Sequence, residues 1–191
     1  MFTYEARRLI CFLRSNEKVW KDKSIVDLGG GTGEILHCLG NTKVSVLIDL
    51  DKGKVKSSQV ENRIMGDIYR LPFRDRVFGL GIFVEVIEHL GEPRKAVNEI
   101  GRVCRNVVVT TPNNSVIRKA LWRLRGKHGL SSVDHVKEYG PHELRTMFVE
   151  GGFKLEIFSG IGFIVRKPRV VYDLGERLPY LSSKILMQFS H

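Results

Sequence analysis

Cysteine and proline are scarce, three and six among 191 residues. Cys11, Cys38 and Cys104 are an odd number with no C-x-x-C spacing and no zinc-type histidine pattern nearby, which argues against a disulfide framework and against a structural zinc site, so no metal is expected. Long apolar runs are missing as well. The longest uncharged one, Val77 to Val84, covers eight residues, far short of the roughly 20 that a membrane-spanning helix requires. The run Leu9 to Leu13 is too short for a signal-peptide core and no small-residue cleavage site follows it, so a reducing, cytoplasmic location is expected. Repeats and low-complexity segments are absent too, and 42% hydrophobic residues is too many for a disordered chain. A chain of this length buries enough surface to fold as one domain without covalent staples.

What the chain has in excess is positive charge, a net +10. The excess is uneven. Residues 24–111 are nearly balanced, whereas 112–133 hold five basic and no acidic residues. A basic rim around a neutral middle attracts anionic small molecules, acidic membrane surfaces or nucleic acid, and its field alone does not choose among them.

Periodicity gives an alternating order. Residues 2–20 place Phe2, Ala6, Leu9, Ile10 and Leu13 at helical spacing. Strands are expected at Ser24–Leu28, Lys43–Ile48, Arg63–Met65, Val77–Val84 and Arg105–Thr110, and helices at Thr32–Leu39 and Glu92–Val103, the latter with Pro93 in its first turn. Between the second and third strands, Asp51 to Glu61 lacks aliphatic periodicity, so the helix there is shortened or lost. After a basic insert come a helix from Pro141 to Glu150, a strand near Phe153–Phe158 and a last apolar run near Lys184–Phe189. The expected fold is α/β, a doubly wound, mostly parallel seven-stranded sheet closed by an antiparallel terminal hairpin. Along the chain this means an N-terminal helix (1–23), a cofactor-binding half (24–111), a lid-like basic insert (112–139) and a C-terminal half (140–191).

The chemistry starts at Val26-Asp27-Leu28-Gly29-Gly30-Gly31-Thr32-Gly33. Consecutive glycines straight after a strand let the backbone turn sharply and approach a ligand closely, with the next helix aiming its N–H groups at the same place. The last glycine of the dinucleotide fingerprint would fall on Glu34, so a diphosphate is disfavoured. Asp49, at the end of the second strand, can accept both hydroxyls of a ribose. Asp67, after Gly66, can accept from an adenine amino group while the following N–H donates to a ring nitrogen.

These segments, VDLGGGTG, LIDLD, MGDIYRLPF and VFGLGIFVEVIEHL, followed by NEIGRVCRNVVVTTPN and DHVKEYGPHELRTMFVEGGF, resemble the class I S-adenosylmethionine-dependent methyltransferases over about residues 24–160. The small-molecule type that includes the ubiquinone and menaquinone biosynthesis enzymes is the most similar. The resemblance implies S-adenosyl-L-methionine as cofactor, with Gly29, Gly30, Gly31 and Gly33 along its methionine portion and Asp27 supporting the loop and the amino end. It further implies Asp49 and Leu50 at the ribose, Asp67 and Ile68 at the adenine, and Val84 and Glu85 near the sulfur. Gly30 departs from the family, which more often has cysteine or alanine there, an exchange of small residues expected to be harmless.

Methyl transfer by in-line displacement needs positioning and, for a poor nucleophile, a base. His89, beside Glu88, and His135, in the insert, are the candidate bases, each also readable as a surface histidine without a role. In the insert Ile117, Leu121 and Leu124 recur at helical spacing beside cationic residues, which suits an amphiphilic or anionic acceptor, a peripheral membrane contact, or an ordinary packed helix. A small-molecule acceptor is therefore expected. RNA or protein methylation through the basic rim, or cofactor binding without catalysis, are the alternatives. Val-Glu-Val-Ile-Glu-His after the fourth strand is not the N-P-P-Y type of sequence that accompanies base-amino methylation, which disfavours nucleic acid. The oligomeric state is left open.

Overall fold

The computed structural model describes residues 4–40, 42–115, 120, 132–162, 164–167, 170–173 and 176–191. Helix α1 (Tyr4–Ser15) precedes strand β1 (Ser24–Leu28), helix α2 (Glu34–Leu39), β2 (Val44–Asp49), α3 (Lys52–Ser57), β3 (Asn62–Met65) and β4 (Leu80–Val84). Then follow α4 (Pro93–Val103), β5 (Asn106–Pro112), α5 (Pro141–Glu150), β6 (Lys154–Ile161), β7 (Ile164–Lys167), β8 (Val170–Asp173) and β9 (Lys184–Ser190). The helical stripe expected over Ile117 to Leu124 lies outside the described residues.

The main sheet has seven strands in the order β3-β2-β1-β4-β5-β9-β6. The first five are parallel, and β9 pairs antiparallel with both β5 and β6. This is the doubly wound sheet with a terminal antiparallel hairpin that the alternation implied. Strand order reverses between β1 and β4, the place where an open α/β sheet leaves a crevice at its carboxyl edge.

Each face of the sheet is covered. In β1, Ile25 points to a layer containing Leu9, Leu13, Leu36 and Leu39 of α1 and α2. Val26 and Leu28 point the other way, to Ile100 of α4 and Leu144 and Phe148 of α5. A strand buried on both faces reads as a continuous apolar run, which is why β1 and β5 were legible without alternation. Asp27 interrupts that run at a position only 1% exposed.

Three details refine the sequence reading. β4 begins at Leu80 rather than Val77, because Arg76 takes a φ of +53° and Phe78 makes an isolated bridge to Cys104 before the ladder proper. α3 exists but is short and buries no residue, as its lack of periodicity implied; its cap is Asp51, which accepts from the N–H groups of Gly53 and Lys54. A separate two-stranded β7–β8 ladder lies between β6 and β9, where no element was expected.

Candidate functional site

The glycine loop leaves β1 through three left-handed residues in alternation, Gly29 at φ +73°, Gly31 at +59° and Gly33 at +82°. Backbone in that region carries a steric penalty for any residue with a Cβ, which explains the spacing 29, 31, 33 better than a phosphate fingerprint does. Gly29 N–H donates to the Ile48 carbonyl at 2.8 Å, tying the loop to β2. A Cβ on Gly29 would meet Val86 at 2.6 Å, so the segment after β4 closes directly on the loop. At Gly31 a Cβ would find only Lys54, at 3.9 Å, leaving this part of the main chain open to approach.

Gly30, expected to be a harmless replacement for the cysteine or alanine more usual in the family, stands where this chain leaves little room for a Cβ. Its Cβ would lie 2.3 Å from Asp27 Cγ and 2.5 Å from Leu47 Cδ1. Asp27 occupies the space that a side chain would need.

Asp27 itself is buried beneath the loop, and its Oδ2 has no hydrogen-bond partner among the described residues. Burial, and then the neighbouring Asp49 carboxylate, push its carboxyl up to about 7. A buried carboxylate lacking a partner is costly unless a cation or donor reaches it.

Asp49 has a part that the sequence did not reveal. Its Oδ2 accepts from Gly31 N–H at 2.8 Å and its Oδ1 from Asp51 N–H at 2.8 Å, so it pins the loop before any ligand arrives. Each carboxylate oxygen has a second acceptor site for an incoming hydroxyl. Next to it Leu50 is 73% exposed, an apolar side chain without cover at the rim. One strand further, Gly66 N–H donates to the Asp49 carbonyl, and Asp67 Oδ1 accepts from Tyr69 N–H. Asp67 is exposed and Ile68 packs partly on the core. The connection that follows is clamped by Arg102, which donates to the Leu71 and Phe73 carbonyls and pairs with Asp75 and Glu99. No sequence signal marked that clamp.

At the tip of β4, Val84 is half-buried and Glu85 adopts φ +54°, a strained conformation for a residue with a long side chain. Glu85 is held there by three contacts: its N–H donates to the Thr110 carbonyl, its Oε1 accepts from Thr110 Oγ1, and Lys184 of β9 pairs with its Oε2. The candidate cofactor residues thus stand at the carboxyl ends of four neighbouring strands, β3, β2, β1 and β4.

The turn Ile87–His89 follows. Glu88 is fully buried, accepts from Thr111 Oγ1 at 3.1 Å, and is pushed up to about 7 by burial and then by Glu85. The Val136 and Lys137 N–H groups donate to the Glu88 carbonyl, which draws His135 onto this turn. The rings of His89 and His135 lie 5.0 Å apart edge to face. Two histidines read as separate candidates therefore form one cluster with Glu88.

Two hollows flank these residues. One of about 540 Å³ begins at Leu90 and is lined by Pro93, Lys95, Lys137, Tyr139 and Met147. A larger one of about 880 Å³ lies away from the β4 tip, between α2, β2 and the chain before β3, on the flank that the short α3 leaves thinly covered.

A protein-family model described as a methyltransferase domain matches residues 26–108. Over those residues the chain is similar to methyltransferase domains. A protein of uncharacterised function from Methanocaldococcus jannaschii is 29% identical to this chain over 107 residues, 53% of this chain and 47% of that protein. The norajmaline N-methyltransferase of Rauvolfia serpentina is 28% identical over 95 residues, 44% and 32% of the two chains. The chain thus spans less than half the length of these curated relatives. In fold, the chain is similar to the magnesium protoporphyrin IX methyltransferase of Synechocystis PCC 6803, solved with bound SAH, at a TM-score of 0.66, with 11% identity over 97% of this chain and 81% of that one. S-adenosylmethionine is the cofactor that the match to a methyltransferase domain implies. The fit agrees with that cofactor: a glycine loop open at Gly31, and below the loop a buried Asp27 oxygen with no partner among the described residues.

Proposed function

We propose that this chain catalyses methyl transfer from S-adenosylmethionine to a small, amphiphilic acceptor. The observation that carries the reading is the Asp27 Oδ2, buried beneath the open glycine loop at the point of strand-order reversal. An α-ammonium group is the kind of partner that such an oxygen lacks. On this reading the backbone of Gly29, Gly30, Gly31 and Gly33 lies along the methionine portion, Asp49 and Leu50 take the ribose, and Asp67 and Ile68 take the adenine. Val84 and Glu85 border the sulfur. When bound, S-adenosylmethionine supplies an electrophilic methyl group on a positively charged sulfur.

The chain's task is then to orient and to exclude water. Lys184 and Thr110 keep the Glu85 carboxylate in one place, and Asp49 holds Gly31 in the left-handed conformation that opens the loop. The hollow that begins one residue past His89 is of the size usual for a small-molecule site. Leu90, Tyr139 and Met147 give its lining an apolar part, and Lys95, Lys137 and Glu92 a charged part, which supports an amphiphilic acceptor.

The test is transfer of a labelled methyl group from the cofactor into a fractionated small-molecule extract, with total RNA and total protein in parallel arms. Label in the small-molecule fraction is the expected result. Label confined to RNA or protein overturns the acceptor class. Titration calorimetry with Gly31→Val should show cofactor binding abolished, and unchanged affinity would remove the loop from the site.

A further inference from the structure

Glu88, His89 and His135 come from two segments 45 residues apart that backbone hydrogen bonds join, and they present one ligand atom each within 4.8 Å of one another. We propose that these three side chains bind one divalent transition-metal cation of the zinc or manganese class. Glu88 is fully buried, and its Oε1 has no partner among the described residues. A carboxylate oxygen placed so is a poor structural choice and a good ligand.

The histidines are held in the tautomer that a ligand needs. His89 Nδ1 lies 3.0 Å from the Asp134 carbonyl oxygen, an acceptor with no proton to give, so the ring proton sits on Nδ1 and the lone pair on Nε2. His135 Nδ1 lies 3.0 Å from Glu138 Oε1, itself in a buried residue, which places its proton and lone pair the same way. Metal-binding histidines almost always donate their other ring N–H to a backbone carbonyl or a carboxylate, and this cluster contains one of each.

Two imidazoles and one carboxylate suit zinc, manganese, iron or cobalt better than the all-oxygen sites preferred by magnesium and calcium. Three protein ligands leave further coordination positions for water or another oxygen donor, as in sites that act on a bound molecule rather than merely brace a fold. With a cation in place, His89 and His135 are ligands and neither is the free base anticipated from sequence.

The test uses tag-free full-length protein dialysed against a chelator, titrated with Co²⁺ as an optical probe and with Zn²⁺ by calorimetry, without any nucleoside present. Saturable one-to-one binding is expected, with Zn²⁺ displacing Co²⁺. Glu88→Gln and His135→Gln should each weaken it more than tenfold, whereas His142→Gln, an exposed position on α5, should leave it unchanged. Ring-nitrogen NMR of the unsubstituted protein decides the matter independently of whether a variant folds: Zn²⁺ should move the resonances of His89 and His135 and no other histidine. Absence of saturable binding, or shifts confined to other histidines, overturns the proposal. Because the readout involves no cofactor, that failure would leave the methyl-transfer reading standing, and a failure of methyl transfer would leave this one standing.

Discussion

Asp27 has the most consequential single side chain here, because its burial couples pH to both stability and binding. Its carboxyl sits near 7 in the folded chain against 3.8 when exposed, so between those values the folded state holds a proton that the unfolded state has lost. Stability contributed by this group therefore falls as pH rises from about 4 to about 7. Denaturant melts of the ligand-free protein should show that slope, and Asp27→Asn should flatten it. Cofactor binding should run the other way, since an ionised Asp27 is the form that attracts an ammonium: affinity by calorimetry should increase from pH 6 to pH 8 in the parent and lose this trend in Asp27→Asn. Gly30→Ala is expected to be destabilising, because its methyl would lie 2.3 Å from Asp27 Cγ and 2.5 Å from Leu47 Cδ1 and those side chains must shift to admit it; a melting temperature within a degree or two of the parent would contradict that. Asp49→Ala removes the acceptor of the Gly31 N–H in the loop and that of the Asp51 N–H and should weaken cofactor binding by about 1–3 kcal/mol. These roles were partly visible beforehand. A carboxylate after each of two strands is a sequence pattern; that one of them fills the space above which Gly30 must stay bare is not.

At the scale of elements, the strand that completes the sheet matters more than its place near the end of the chain suggests. β9 inserts between β5 and β6, so it is internal, and it carries Lys184 at one end and Phe189 near the other. Phe189 is fully buried and stacks on Phe148 of α5, with centroids 4.5 Å apart and planes 11° apart. Phe189→Ala should cost about 3–5 kcal/mol in chemical denaturation. α3 is the opposite case. It buries nothing, so substitutions such as Lys56→Ala should change stability by less than about 0.5 kcal/mol. The sequence made both legible for the same physical reason: apolar periodicity reports burial. It could not locate the partners of β9, which come from distant segments.

For the whole molecule, sheet order decides where chemistry can occur. Reversal between β1 and β4 gathers the ends of four strands at one crevice, and the same reversal brings Val86 within 2.6 Å of where a Gly29 Cβ would lie. A ligand that binds this crevice in the folded chain alone must raise its melting temperature by mass action, about 2.7 kcal/mol at one hundred times its dissociation constant. S-adenosylmethionine should do so in a thermal melt, and adenosine diphosphate should not, since Glu34 opens α2 where a diphosphate would sit. Among the described residues no helix is long and apolar enough to cross a membrane.

Local chemistry was written into the chain itself: glycine spacing dictates the left-handed turns, apolar runs dictate strands buried on two faces, and a carboxylate after a strand marks a place for a polar ligand. These are near-neighbour effects, readable wherever side-chain type alone sets the backbone. The union of Glu88, His89 and His135, the locking of Glu85 by Lys184, and the crowding of Gly30 by Leu47 depend on contacts between residues far apart in sequence. Such contacts exist only once the sheet has chosen its order, because packing in three dimensions, and not succession along the chain, determines which side chains meet.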